Sequence, residues 1–380
     1  MKKRLISLLF AIALVLGAIA PAVMADDTIK IGAIGVLSGP AAMYGIGVQN
    51  GVNLYVKQLN EAGGIDGKKV EVIWEDSEGN PTVGTHAFNK LVENEGVVAI
   101  LGPVITPVTR TVAELSSEVG EYGIPVITPS ATAYDITTDR PNVFRTCFLD
   151  PFQAYATANY AKDEGIEKVA IIYDNGDEYS TGLYEAFRDQ CEQVGIEIVA
   201  TESAAFADVD FKSQLANIKN AEPQAVFLPY YGAPAAYILS QANELGFETR
   251  FFGNDGLSSL PGTISDTKLL TSVTYSDHFT TEADYEKAVE FVKAYEDEYG
   301  RKPEISFCAT GYDAALVLCE GIKIAGSTDS KAVIDAIKGI SVEGVSGNIT
   351  FDDHNDPIKT AYFLTFDAEG NSIFLKAQEP

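Results

Sequence analysis

The chain has 380 residues, of which 46% are hydrophobic and 21% charged, a composition that excludes a disordered or coiled-coil protein. A formal charge of −27 argues against nucleic acid or an anionic membrane as partner, because polyanions are bound by basic surfaces. The length leaves room for two domains of about 100–200 residues each.

Lys2, Lys3 and Arg4 precede an apolar run over 5–20, then Pro21 and the small-residue stretch Ala22, Val23, Met24, Ala25. A positive start, an apolar middle and a small-residue cleavage site make residues 1–25 a secretory signal peptide, with the mature chain starting at Asp26. The run is short for a span of about 20 residues and Pro21 breaks it, so a membrane anchor is not expected. No cysteine precedes Cys147, so the lipid-attachment pattern is missing and a freely soluble periplasmic product is expected.

From Thr28 onward, β-rich runs alternate with amphipathic stretches of helical length. A strand over 29–37 leads to a helix with Val48, Val52, Tyr55, Val56 and Leu59 on one face, ending at Gly63-Gly64. A strand over 70–74, a helix over 81–94 and a strand over 97–101 follow. Thr106 before Pro107 supplies an N-cap and a first-turn proline for a helix through Glu121. Next, a short strand (Ile124, Val126, Ile127) runs into Thr128, Pro129, Ser130, Ala131 and Thr132. Pro129 and the small residues cannot continue the strand, so the backbone leaves the sheet edge with polar groups free to meet a ligand.

The rhythm restarts after Pro151, with a helix to Glu164, a strand over 169–173, a helix to Val194 and a strand over 196–201. A helix from Phe211, a strand over 225–228, a helix over 234–245 and a strand over 249–252 complete that set. Helices over 282–299, 305–324 and 327–338, a strand over 348–351 and a hairpin over 360–366 and 372–375 finish the chain. This βα alternation predicts an α/β protein with doubly wound parallel sheets.

Enzyme readings find little support. Gly45-x-Gly47-x-x-x-Gly51 with Asp76 suggests a dinucleotide site, but its spacing misses the fingerprint by one residue and lies inside a helix. There is no Gly-x-Ser-x-Gly elbow, no Walker A motif, and only His86, His278 and His354 as imidazole bases. The cysteines at 147, 191, 308 and 319 lack metal-site spacing, so neither a metal nor any other cofactor is expected. A Cys147–Cys191 bridge would fit an oxidising compartment, although buried free thiols are the expected state. The run from Asp352 to Asp356 lacks the glycine a calcium loop needs and is taken as a polar turn.

Loops at strand ends carry polar and aromatic residues with few charges. They are Ser38-Gly39-Pro40 through Tyr44, residues 102–106, Asp177 through Ser180, Pro229-Tyr230-Tyr231-Gly232, and Gly253-Asn254-Asp255-Gly256. Together with Glu61-Ala62-Gly63-Gly64-Ile65 and the 127–132 loop, their order resembles the branched-chain amino acid binding proteins of ATP-binding-cassette importers, which have the type I periplasmic binding fold.

The resemblance covers essentially the whole mature chain and implies two lobes, 26–147 with 277–349 and 148–276 with 350–380, joined by a three-segment hinge. It implies an α-amino acid in the cleft, its carboxylate held by Thr106 and by Ser130, Ala131 and Thr132. The ammonium would meet Asp255, and the side chain would sit against Tyr44, Tyr179 and Tyr230 or Tyr231. A zwitterion needs donors at one end and an acceptor at the other, and helix starts supply the donors. The implied protein is a monomer without catalysis, delivering its ligand to a membrane permease with a separate ATPase. An amide or aromatic acid as ligand, for transport or for sensing, is the alternative.

Overall fold

The computed structural model describes residues 28–205 and 207–379, so the signal-peptide reading lies outside the described residues. Two sheets form the frame. The first has the order β2-β1-β3-β4-β5 and is parallel throughout, from β1 (Ile29–Gly35), β2 (Val70–Asp76), β3 (Ile100–Leu101), β4 (Val126–Thr128) and β5 (Val143–Arg145). Every residue of β1 except Lys30 is buried, as the unbroken apolar reading of an interior parallel strand demands.

The second sheet has the order β14-β13-β10-β9-β8-β6-β7. Its parallel part is β6 (Lys168–Asp174), β7 (Glu197–Ala204), β8 (Ala225–Phe227), β9 (Arg250–Gly253) and β10 (Val273–Asp277). An antiparallel hairpin of β13 (Ala361–Phe366) and β14 (Ser372–Gln378) extends it. A separate ribbon pairs β11 (Ser341–Gly344) with β12 (Gly347–Thr350).

The helices are α1 (Ala42–Glu61), α2 (Pro81–Asn89), α3 (Thr106–Ser117), α4 (Asp150–Asp163), α5 (Glu178–Val194), α6 (Lys212–Asn220), α7 (Gly232–Glu244), α8 (Glu286–Tyr299), α9 (Phe307–Ala325) and α10 (Ser330–Lys338). The expected 81–94 helix divides, because α2 gives way to a π-helical turn over Lys90–Glu95. Thr106 is the first residue of α3 and not its cap: Ile105 takes the cap position, with no side-chain bond.

One core cluster joins β1 and α1 with the late helices, running from Ile29 to Phe144 and again from Phe279 to Ile349. Two other clusters belong to the second sheet and lie within 154–366. The chain therefore passes between the lobes through 146–149, again after Asp277, and again over 351–360. Gly51, one of the glycines that suggested a dinucleotide site, serves this packing, whereas Gly45 lies against the Val36 backbone. A Cβ on Gly51 would lie 2.0 Å from the Cys308 carbonyl oxygen, and one on Gly311 would lie 2.7 Å from that of Val48, so α1 and α9 touch backbone to backbone.

Three strands escape the sequence reading. β5 has three residues, too few for a period, β11 is mostly exposed, and β10 reads Val-Thr-Tyr-Ser-Asp, whose polar residues are all buried. All four cysteines are free and buried.

Candidate ligand-binding cleft

The first lobe brings its strand ends to the cleft from one side. The chain leaves β1 through Ser38-Gly39-Pro40 and enters α1, whose first turn holds Tyr44. Beyond β3 come Val104, Ile105 and Thr106, and beyond β4 comes Ser130, fixed by its hydroxyl donating to the Val104 carbonyl at 2.8 Å. Phe307 joins them from the start of α9. From the second lobe come Tyr179, in the first turn of α5 that Asp177 caps, Tyr231 just before α7, and Asp255 with Gly256 beyond β9. These ten residues line a narrow cavity between the closed lobes, about 10 Å³ in volume.

Six of the nine expected site residues share this wall: Tyr44, Thr106, Ser130, Tyr179, Tyr231 and Asp255. Three do not, and each has a local reason. Successive residues of the extended segment before α7 face opposite sides, so Tyr231 meets the cavity while Tyr230 turns inward onto Phe211 in the second-lobe core. Ala131 packs into the core behind the loop. Thr132 is fully buried and its hydroxyl approaches the Asp150 carboxyl without reaching hydrogen-bond geometry.

Asp255 is the electrostatic centre. It is buried, with Oδ1 accepting from the Tyr179 hydroxyl at 2.8 Å and from the Gly256 N–H at 3.1 Å, while Oδ2 lies 3.0 Å from His278 Nε2. Burial, followed by the Asp255 charge, pushes the Tyr179 phenol far up, so it stays a donor. A second buried acid stands behind this one. Asp150 opens α4, Gln153 bonds its Oδ1 at 2.9 Å, and burial raises its pKa to about 8, with Asp255 adding to the rise. Among the described residues the cavity wall carries no Lys, Arg or His.

The lobes are shut against each other. The Tyr44 hydroxyl donates to the Gly256 carbonyl at 2.6 Å and accepts from the Gly232 N–H at 2.9 Å and the Ser259 hydroxyl at 2.7 Å. Arg110 of α3 pairs with Asp135 in its own lobe and, through Nε at 2.5 Å, with Glu178 of α5 across the cleft. The Ser130 loop is held from below by Arg145, fully buried at the end of β5. Its guanidinium donates to the carbonyls of Ala131, Ala133 and Tyr134 and to Thr137, and its Nε lies 2.6 Å from Asp356 on the third crossing. The 352–356 turn thus ties the crossing to the loop, and the described residues contain no cluster able to hold a metal.

His278, Phe307 and Arg145 were not anticipated from sequence. Phe307 reads as a core position of a helix, and Arg145 belongs to a strand too short to recognise. His278 follows β10 directly. Recognising that strand would have put its end on the same binding edge as the other loops.

The comparisons agree with this architecture. A family model described as periplasmic binding protein matches residues 28–371. The Leu/Ile/Val-binding protein homolog 3 of Brucella melitensis is 34% identical over 346 residues, 89% of this chain and 90% of that protein. The structure of the branched-chain amino acid transporter substrate-binding protein LivJ from Streptococcus pneumoniae, in complex with isoleucine, superposes with a TM-score of 0.86 at 30% identity, covering 93% of this chain and 99% of that one. A solute-binding protein of an ABC transporter from R. palustris, in complex with benzoate, superposes with a TM-score of 0.83 at 25% identity, covering 93% and 97%.

Proposed function

The chain belongs to the periplasmic binding protein family, and from that premise we propose that it captures one aliphatic α-amino acid, leucine, isoleucine or valine, between its lobes and hands it to an ATP-binding-cassette importer. One observation carries the choice of ligand: the cavity presents a buried carboxylate, Asp255, and no cationic side chain. A ligand with an ammonium meets its counter-charge there. A bare aromatic acid would bring an anion to a buried carboxylate with no side-chain cation on the wall, and that repulsion selects against the benzoate type of ligand. The helix start at Thr106 and the polar Ser130 loop suit the opposite end of a zwitterion.

The rest of the wall is Tyr44, Tyr179, Tyr231, Phe307, Val104 and Ile105, which suits a small apolar side chain. No step in this reading makes or breaks a covalent bond, so the protein binds without turnover. The signal peptide over 1–25 would carry it to the periplasm, where it acts as a monomer and its closed form presents a surface to the permease.

Calorimetry of refolded, ligand-stripped protein against a panel of amino acids, amides and aromatic acids tests the reading. Heat with leucine, isoleucine or valine is expected, and heat only with amides or aromatic acids overturns it. Because the short crossings at 146–149, after Asp277 and at 351–360 form the hinge, scattering should also give a smaller radius of gyration with ligand than without.

A further inference from the structure

We infer that His278 is a positioning residue for ligand recognition: it fixes the Asp255 carboxylate so that one acceptor position on Oδ2 faces the cavity. The inference rests on the proposed amino-acid function and adds a residue to it. A carboxylate has about four acceptor positions. Three are occupied within the protein, two on Oδ1 by Tyr179 and Gly256 and one on Oδ2 by the His278 ring. The fourth, on Oδ2, is left for an ammonium.

The ring is placed to do this and little else. His278 is fully buried, Nδ1 has no partner, and Nε2 faces the carboxylate, which makes the Nε2–H tautomer the one that fits. Burial lowers its pKa, so the ring donates a hydrogen bond without cancelling the charge that an ammonium needs. Its faces are clamped: the Phe148 ring stands 3.8 Å away centroid to centroid, and Phe307 of the cavity wall 5.7 Å away.

Phe148 lies on the first crossing between lobes and His278 on the second, so the carboxylate is registered against the hinge itself. The His278 backbone N–H donates to Asp277 at 2.8 Å, and Asp277 in turn accepts from the Ser306 hydroxyl just before α9. Tyr179 and Gly256 cannot replace it, since both act on Oδ1 and come from the second lobe alone.

The test is calorimetry with the amino acid that the wild type binds best, on His278→Phe, His278→Gln and His278→Asn, each checked for folding by circular dichroism. His278→Phe should weaken binding about ten- to a hundredfold, the loss of one buried hydrogen bond to a charged group. His278→Gln, whose amide nitrogen reaches the Nε2 position, should stay within about threefold of wild type. His278→Asn, whose amide reaches only the Nδ1 position, should fall with the phenylalanine variant; the Gln and Asn pair decides the matter if His278→Phe does not fold.

In an Asp255→Asn background the cost of His278→Phe should shrink to less than about threefold, because residues acting through one another are not additive. Wild-type affinity in His278→Phe or His278→Asn, or an equal cost in both backgrounds, overturns the proposal. Absence of heat with every α-amino acid in the wild type instead removes the functional reading beneath it, and is a different result.

Discussion

The two lobes are built on the same strand-helix plan, yet they contribute opposite chemistry to the cleft. The first lobe offers Val104, Ile105, Thr106, Ser130, Tyr44 and Phe307, a set without charge that begins a helix. The second offers Asp255, with Tyr179 and Gly256 bonded to it, and keeps a further acid, Asp150, behind. Neither half can satisfy a zwitterion alone. The difference teaches that recognition belongs to the closed state, where the Tyr44 hydroxyl and Arg110 hold both halves together.

Removing the charge from the second lobe should break this division most severely. Asp255→Ala would bury the ligand ammonium without its counter-charge, at about 3–5 kcal/mol, or on the order of a hundredfold to several thousandfold in affinity by calorimetry. Asp255→Asn should recover part of that through its amide oxygen. Unchanged affinity in folded Asp255→Ala would mean that the polarity of the lobes has nothing to do with binding.

The acid behind the site makes the second lobe sensitive to alkali. The folded-state pKa of Asp150, about 8, lies above its unfolded value, so its neutral form favours folding, and that contribution is full below about pH 4 and lost as pH rises through about 8. Asp150→Asn should therefore raise Tm at pH 8, by roughly a few kcal/mol of stability, and change it little at pH 4. Equal shifts at both pH values in thermal melts would contradict it.

Tyr44→Phe sharpens the comparison from the other side, since it keeps the ring and removes only the hydroxyl that reaches into the second lobe. The Gly232 N–H and Gly256 carbonyl lose their partner on closing. A loss of about 1–3 kcal/mol in binding follows, with a larger radius of gyration in the ligand-bound state. Smallest should be the effect of Arg110→Ala. This pair sits at a solvated lip, where Glu178 is 47% exposed, so its loss should cost no more than about 1 kcal/mol and vanish in high salt. Dissociation rates measured at low and high ionic strength would check it.

Much of the frame was legible because burial imposes a period on the residues that form it. The strands beginning at Ile29, Val70, Lys168 and Ala225 and the long helices were recognisable as apolar runs and helical faces. The loop residues Tyr44, Thr106, Ser130, Tyr179 and Asp255 were recognisable as site candidates because polar residues at the ends of parallel strands have few other uses. Tyr230 and Tyr231 could not be told apart, since facing depends on one peptide's orientation, which composition does not carry.

What the sequence determined by itself was the succession of strands and helices and the type of residue placed at each strand end, both of which depend on neighbours a few positions away. Only the tertiary structure decided which of those ends meet. Phe148, His278 and Phe307 are separated by long stretches of chain, and their rings meet beside Asp255 because the first two crossings between lobes run next to each other and to the start of α9. No local period records such a meeting, for the hydrogen bond from His278 and the clamp from Phe148 act only once water has been excluded from between them.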